Sequence, residues 1–82
     1  MFYVYILKSL KDNGLHIGYT NDLRRRFAEH QKGQCSATKS RLPVKIIHYQ
    51  AFISQIDAIE TEKYLKTTRG WQRIKRMLRS TL

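Results

Sequence analysis

Two charged side chains fall in places that amphipathic helices normally reserve for other residues. Residues 22 to about 32 read as a helix, opened by N-cap oxygens in Thr20-Asn21-Asp22 and closed near Gly33. At 100° per residue with Leu23 at zero, Phe27 falls at about 40°, His30 at about 340° and Arg26 at about 300°. Leu23 and Phe27 mark the buried stripe, and Arg26 with His30 lines its edge, one turn apart. Arg24 and Arg25 fall on the wet side, as consecutive arginines usually do. A second helix opens on Ser54 and Asp57, a Ser-x-x-Asp capping pattern, and runs to about Lys66. On a wheel that counts Ile56 among the apolar positions, Glu62 falls inside the arc of Ala58, Ile59 and Leu65, and Glu60 falls outside it. A carboxylate aimed into a core is costly unless it is paired, protonated or bound to a cation. Two readings are open: an internal salt bridge, with Arg26 as a partner, or a ligand for Mg²⁺ or Mn²⁺. One carboxylate plus waters and substrate phosphate is an acceptable Mg²⁺ site.

The elements that must position these groups follow from patterning. Phe2–Leu7 is β-branched and aromatic on both faces, with Phe2, Val4 and Ile6 on one and Tyr3, Tyr5 and Leu7 on the other. That pattern suits a strand buried on both sides. Lys11-Asp12-Asn13-Gly14 is a turn signal, and residues 15–19 form the second strand of a hairpin. A polar, basic loop from Gln34 to Pro43 leads into a third strand, 44–52. After the second helix, a break around Thr67–Gly70 precedes a short last helix with Trp71, Ile74 and Leu78 at helical spacing. The expected fold is α+β, in the order β-β-α-β-α-α. It has a three-stranded, largely antiparallel sheet flanked by helices, in one domain spanning residues 1–82.

Composition narrows the partner. The chain carries 16 Lys and Arg against 6 Asp and Glu, a net charge of +10. Such an excess disfavours the compact state unless an anion offsets it; nucleic acid, an acidic membrane surface and an acidic protein are the candidates. With 41% hydrophobic residues the chain is a folded domain and not a disordered basic tail. Its apolar runs are too short to span a bilayer, and no signal-peptide pattern is present, so a cytoplasmic protein is expected. The lone Cys35 reads as a reduced loop thiol, and His16, His30 and His48 lack zinc-ligand spacing. His48 reads as structural or exposed. There is no Gly-rich phosphate loop and no Ser/His/Asp arrangement. From Lys63 onward every charged side chain is basic: Lys63, Lys66, Arg69, Arg73, Lys75, Arg76 and Arg79, interleaved with Tyr64 and Trp71. Together with Lys39 and Arg41 of the loop, these are the expected phosphate-backbone contacts, on DNA or alternatively RNA. A monomer is the default.

At this point the motifs resemble those of the GIY-YIG nucleases. Tyr3-Val4-Tyr5 is similar to the first motif, with Tyr5 as its final tyrosine, and His16-Ile17-Gly18 followed by Tyr19-Thr20 is similar to the second. Asp22-Leu23-Arg24-Arg25-Arg26 resembles the helix start whose last arginine is catalytic. His30 stands one turn on, where the family often has His or Tyr, and Glu62 resembles the metal-binding glutamate. The resemblance covers nearly the whole chain. It implies a metal-dependent DNA endonuclease, in repair or recombination, with Glu62 holding the cation and Arg26 stabilising phosphoryl charge. Tyr5, His16, Tyr19 and His30 are then the candidates for orienting or deprotonating water. One departure stands out: His16 occupies the place of the usual motif tyrosine, so the imidazole either takes over proton transfer or marks a module that binds nucleic acid without cutting it.

Overall fold

A computed structural model describes all 82 residues. Strand β1 (Phe2–Ser9) is central, flanked by β2 (Leu15–Thr20) and β3 (Val44–Phe52), both antiparallel to it. Its two-sided apolar pattern is thereby explained, because each face of β1 carries its own core. Phe2, Val4 and Ile6 pack with Ile17, Ala58, Leu65, Ile74 and Leu78 beneath helices α2 (Gln55–Leu65) and α3 (Thr68–Met77). Tyr5, Leu7 and Val44 pack on the opposite face with Leu23 and Phe27 of helix α1 (Leu23–Gln31). The sheet is thus a thin layer between α1 on one side and the α2–α3 pair on the other.

Local signals set most of the boundaries. The Asp22 carboxylate caps α1 by accepting from the Arg25 N–H, and the Ser54 hydroxyl caps α2 by accepting from the Asp57 N–H. In the hairpin the Asp12 carboxylate accepts from the Gly14 N–H at 2.8 Å and pairs with Arg41 at 3.3 Å. The turn is thereby tethered to the single 3₁₀ turn at Lys39–Arg41.

Two details differ from expectation. The break before the last helix is shorter than Thr67–Gly70: Thr67 is the N-cap of α3, its side chain accepting from the Gly70 N–H, and Gly70 lies inside the helix. Gly70 is needed there for close approach, since a Cβ at this position would collide with the Tyr64 carbonyl at the end of α2. Ile56, counted on the apolar side of the α2 wheel, is 68% exposed; the face that turns inward is that of Ala58 and Leu65.

Candidate active site

Tyr5 projects from the α1 side of the central strand, and its ring lies across Gly18 of the edge strand, its partner in the ladder. A Cβ on Gly18 would occupy the space of the Tyr5 phenol, which accounts for glycine at this place in the motif. The phenol is thus carried from the middle of the sheet out over β2. Gly18→Ala is expected to evict the Tyr5 ring and cost roughly 2 kcal/mol of stability, the scale of overpacking a core position. Urea unfolding measures this, and an unchanged midpoint would refute the contact.

Around the phenol the structure gathers residues that are far apart in the chain. The Tyr5 hydroxyl is 2.9 Å from Nε2 of His30, whose Nδ1 is 2.7 Å from the Thr38 hydroxyl. His30 and Thr38 are both buried. Burial, then the positive charge of Arg26, holds the His30 imidazole below its ordinary pKa, so it is neutral at pH 7 and has one N–H to donate. The chain of bonds therefore runs in one of two senses. Either Tyr5 donates to His30 and His30 to Thr38, or Thr38 donates to His30 and His30 to Tyr5. The second leaves the Tyr5 proton free to point toward a bound ligand.

His16 follows from strand alternation. It faces the same side as Gly18, with its ring centroid 5.1 Å from that of His30 and 6.2 Å from that of Tyr5. Burial pushes its pKa down to about 4, assisted by His30 and by the cations Lys66, Arg41 and Arg26. His16 is therefore a neutral imidazole across the neutral range, titrating well below an unperturbed histidine. Burial also raises the Tyr5 pKa, with Arg26 opposing it, so the phenol keeps its proton.

Arg26 lies beside the Tyr5 phenol, half exposed, and its Nη1 donates to Glu29 at 3.2 Å. Glu62 approaches from α2. Its side chain is 21% exposed, accepts from Lys66 Nζ at 3.2 Å and lies near enough for its charge to act on Tyr5. The internal Glu62–Arg26 salt bridge does not form; each residue is paired on its own helix instead. No group of three or more His, Cys, Asp or Glu side chains could enclose a metal. That donor set rules out a closed zinc-type site and fits a hard cation held by one carboxylate, with waters and substrate oxygens completing its shell.

Of the six residues singled out from sequence, Tyr5, His16, Arg26, His30 and Glu62 converge. Tyr19 does not. It stacks on Phe2 on the α2 side of the sheet, and its hydroxyl accepts from Gln55 Nε2 at 3.0 Å. Alternation along β2 already separates it from His16 and Gly18. Thr38, the buried partner of His30, carried no signal in the sequence. Cys35 is buried, and not a loop bystander, and its sulfur lies within the charge environment of Tyr5 and Arg26. His48 keeps its Nε2 buried without a partner. The basic residues Lys39, Lys63, Lys66, Arg69, Arg73, Arg76 and Arg79 are exposed, whereas Arg41 is partly covered and committed to Asp12.

Three histidines with depressed pKa values have a consequence for stability. The unfolded chain takes up protons near pH 6.5, whereas the folded chain resists them until lower pH. Stability is therefore full above that value and falls as the pH drops toward 4. The melting temperature is expected to fall by roughly 5 °C or more between pH 7 and pH 5, and His16→Phe should flatten the curve. A melting temperature constant over that interval would contradict it.

The sheet order and the Tyr5–Gly18 crossing agree with the fold that the GIY-YIG resemblance implies. The chain matches the GIY-YIG catalytic domain over residues 1–75, and it belongs to that family, whose members are generally nucleases acting on nucleic acid with divalent metals. Within the family it is similar to small bacterial proteins named UPF0213. It is 45% identical over 65 residues to one from Streptococcus pneumoniae, covering 78% of this chain and 65% of that protein. It is 39% identical over 74 residues to another from Staphylococcus haemolyticus, covering 89% of each. The chain thus spans just under two thirds of the length of the pneumococcal relative. The solution structure of a UPF0213 protein from Bacillus halodurans superposes with a TM-score of 0.58 at 32% identity, covering 94% of this chain and 85% of that one. No helix is long and apolar enough to cross a membrane.

Proposed function

We propose that this protein is a divalent-metal-dependent endonuclease that hydrolyses phosphodiester bonds in DNA, using Tyr5, His16, Arg26, His30 and Glu62. The observation that carries the reading is a buried phenol, Tyr5, held by His30, with the Arg26 guanidinium beside it and the Glu62 carboxylate of α2 near enough for its charge to act on it. Glu62 would hold Mg²⁺ or Mn²⁺, which when bound supplies Lewis-acid polarisation of the phosphoryl group and stabilises the leaving oxygen. Arg26 uses only part of its guanidinium on Glu29, and its remaining N–H groups would grip the phosphoryl oxygens as negative charge builds. Neutral His16 would accept a proton from the attacking water, and the Thr38–His30 pair would hold the Tyr5 hydroxyl at the phosphate. Tyr19 stands outside this cluster, its hydroxyl held by Gln55 at the start of α2. A role in repair or recombination belongs to the same proposal.

The test is incubation of purified protein with plasmid, branched DNA and RNA, with and without Mg²⁺ or Mn²⁺. DNA nicking that requires the metal is the expected result. A second reading, a nucleic-acid-binding module without cleavage, is favoured by the Lys66 ammonium on Glu62 and by His16 in the motif. It would be established by DNA binding with no cutting under any of these conditions.

A further inference from the structure

Next to the catalytic cluster, a cleft of about 460 Å³ opens between α1 and the sheet. Its walls are Tyr3, Phe27, Ile46 and Tyr49, and its rim carries Asn21, Arg24 and Asp22, whose carboxylate is occupied in capping α1 by accepting from the Arg25 N–H. We infer that this cleft takes one unpaired base of a DNA strand, stacked on Tyr49 beside the phosphate to be cut; the inference rests on the nuclease reading above.

The first support is the aromatic surface. Tyr49 is 56% exposed on the edge strand β3. Its ring meets that of Tyr3 at 61°, with centroids 6.4 Å apart, so the pair forms an open corner and leaves a ring face available. Planar bases stack on such faces whatever their sequence. The second support is location. Tyr3 and Tyr5 share one face of β1, about 7 Å apart along the strand, and Phe27 directly follows Arg26 in α1. A phosphate held at Arg26 would leave the adjoining nucleotide on the α1 side of the sheet, where the cleft opens.

The third support is charge and hydrogen bonding. Arg24 and Arg25 are exposed at the start of α1 and have no carboxylate partner, whereas Arg26 is paired with Glu29. Asn21 accepts one long hydrogen bond from Arg25 at 3.4 Å, and its amide N–H groups remain free to donate to a base. On a chain of net charge +10 these groups complement a phosphodiester strand and repel a basic peptide. A cavity of this size admits a small planar ligand. In a duplex the base faces are already stacked, so only an unpaired base can offer one.

The experiment is binding of the full chain, in EDTA so that no cleavage intervenes, to oligonucleotides carrying 2-aminopurine. The probes are a DNA single strand, the same strand fully paired, and the RNA strand of equal sequence. The single DNA strand should bind with a change in 2-aminopurine fluorescence. Tyr49→Ala should weaken that binding roughly 10-fold, as loss of a stacking platform does, and leave duplex affinity within about twofold. Tyr49→Phe should behave as the parent. Equal loss on single strand and duplex, or no loss on either, overturns the cleft as a base site, and tighter binding of the RNA strand overturns its assignment to DNA. Since Tyr49 is exposed, melting temperature checks that each variant is folded. If Tyr49→Ala shows the selective loss but the parent cuts nothing with any metal, the nuclease reading fails and the cleft stands. If the parent cuts and Tyr49→Ala binds both forms as before, the cleft fails and the nuclease reading stands.

Discussion

Glu62→Gln is expected to lower metal-dependent DNA cleavage by about 1,000-fold, the upper scale for removing one preorganised group that stabilises transition-state charge. Gln is nearly isosteric and can still accept a hydrogen bond from Lys66, so the helix keeps its local contact. What it loses is the charge that would hold a cation. Stability should change by less than about 1 kcal/mol, because Lys66 is more than half exposed and such pairs contribute little. DNA affinity measured in EDTA should stay within about twofold. Cleavage at the parent rate removes Glu62 from the site. Unfolding without loss of activity in the folded fraction makes its role structural.

Arg26→Lys is the second large effect, a loss of about 100-fold in turnover with DNA affinity nearly unchanged. Lys keeps the positive charge but not the planar fork that grips two oxygens at once. Arg24→Lys and Arg25→Lys should each stay within about threefold, because both side chains face solvent while Arg26 lies against the Tyr5 phenol. Single-turnover kinetics separates the chemical step from binding. Equal losses at all three positions would show that the run of arginines acts only as a basic surface.

These two expectations draw on different amounts of sequence information. The placing of Arg26 at the edge of the α1 stripe came from helical periodicity alone, and its contact with the sheet bears that out. Glu62 on the inward side of α2 came from the same argument, yet Ile56 on that wheel points to solvent. A wheel says which residues share a face. It does not say which face the rest of the molecule will cover. Gly70 shows the same limit in the other direction. Its residue type suggests a helix break, but its reason is the Tyr64 carbonyl one helix away, and α3 starts from the Thr67 cap.

By itself the sequence determined the element order, an N-cap within Thr20-Asn21-Asp22 and one at Ser54, the burial of β1 on both faces and the basic surface. All of these depend on neighbours within about one or two turns or on composition. Only the tertiary structure decided that His30 reaches Tyr5 across 25 positions, that Thr38 completes the chain of hydrogen bonds and that Tyr5 rests over Gly18. It also decided that Tyr19 turns away to Gln55, that Cys35 is buried and that His16 loses enough solvent to move its pKa to about 4. The physical reason is common to all of them. Desolvation and hydrogen-bond partnership belong to the space around a side chain, and that space is filled by segments from elsewhere in the chain.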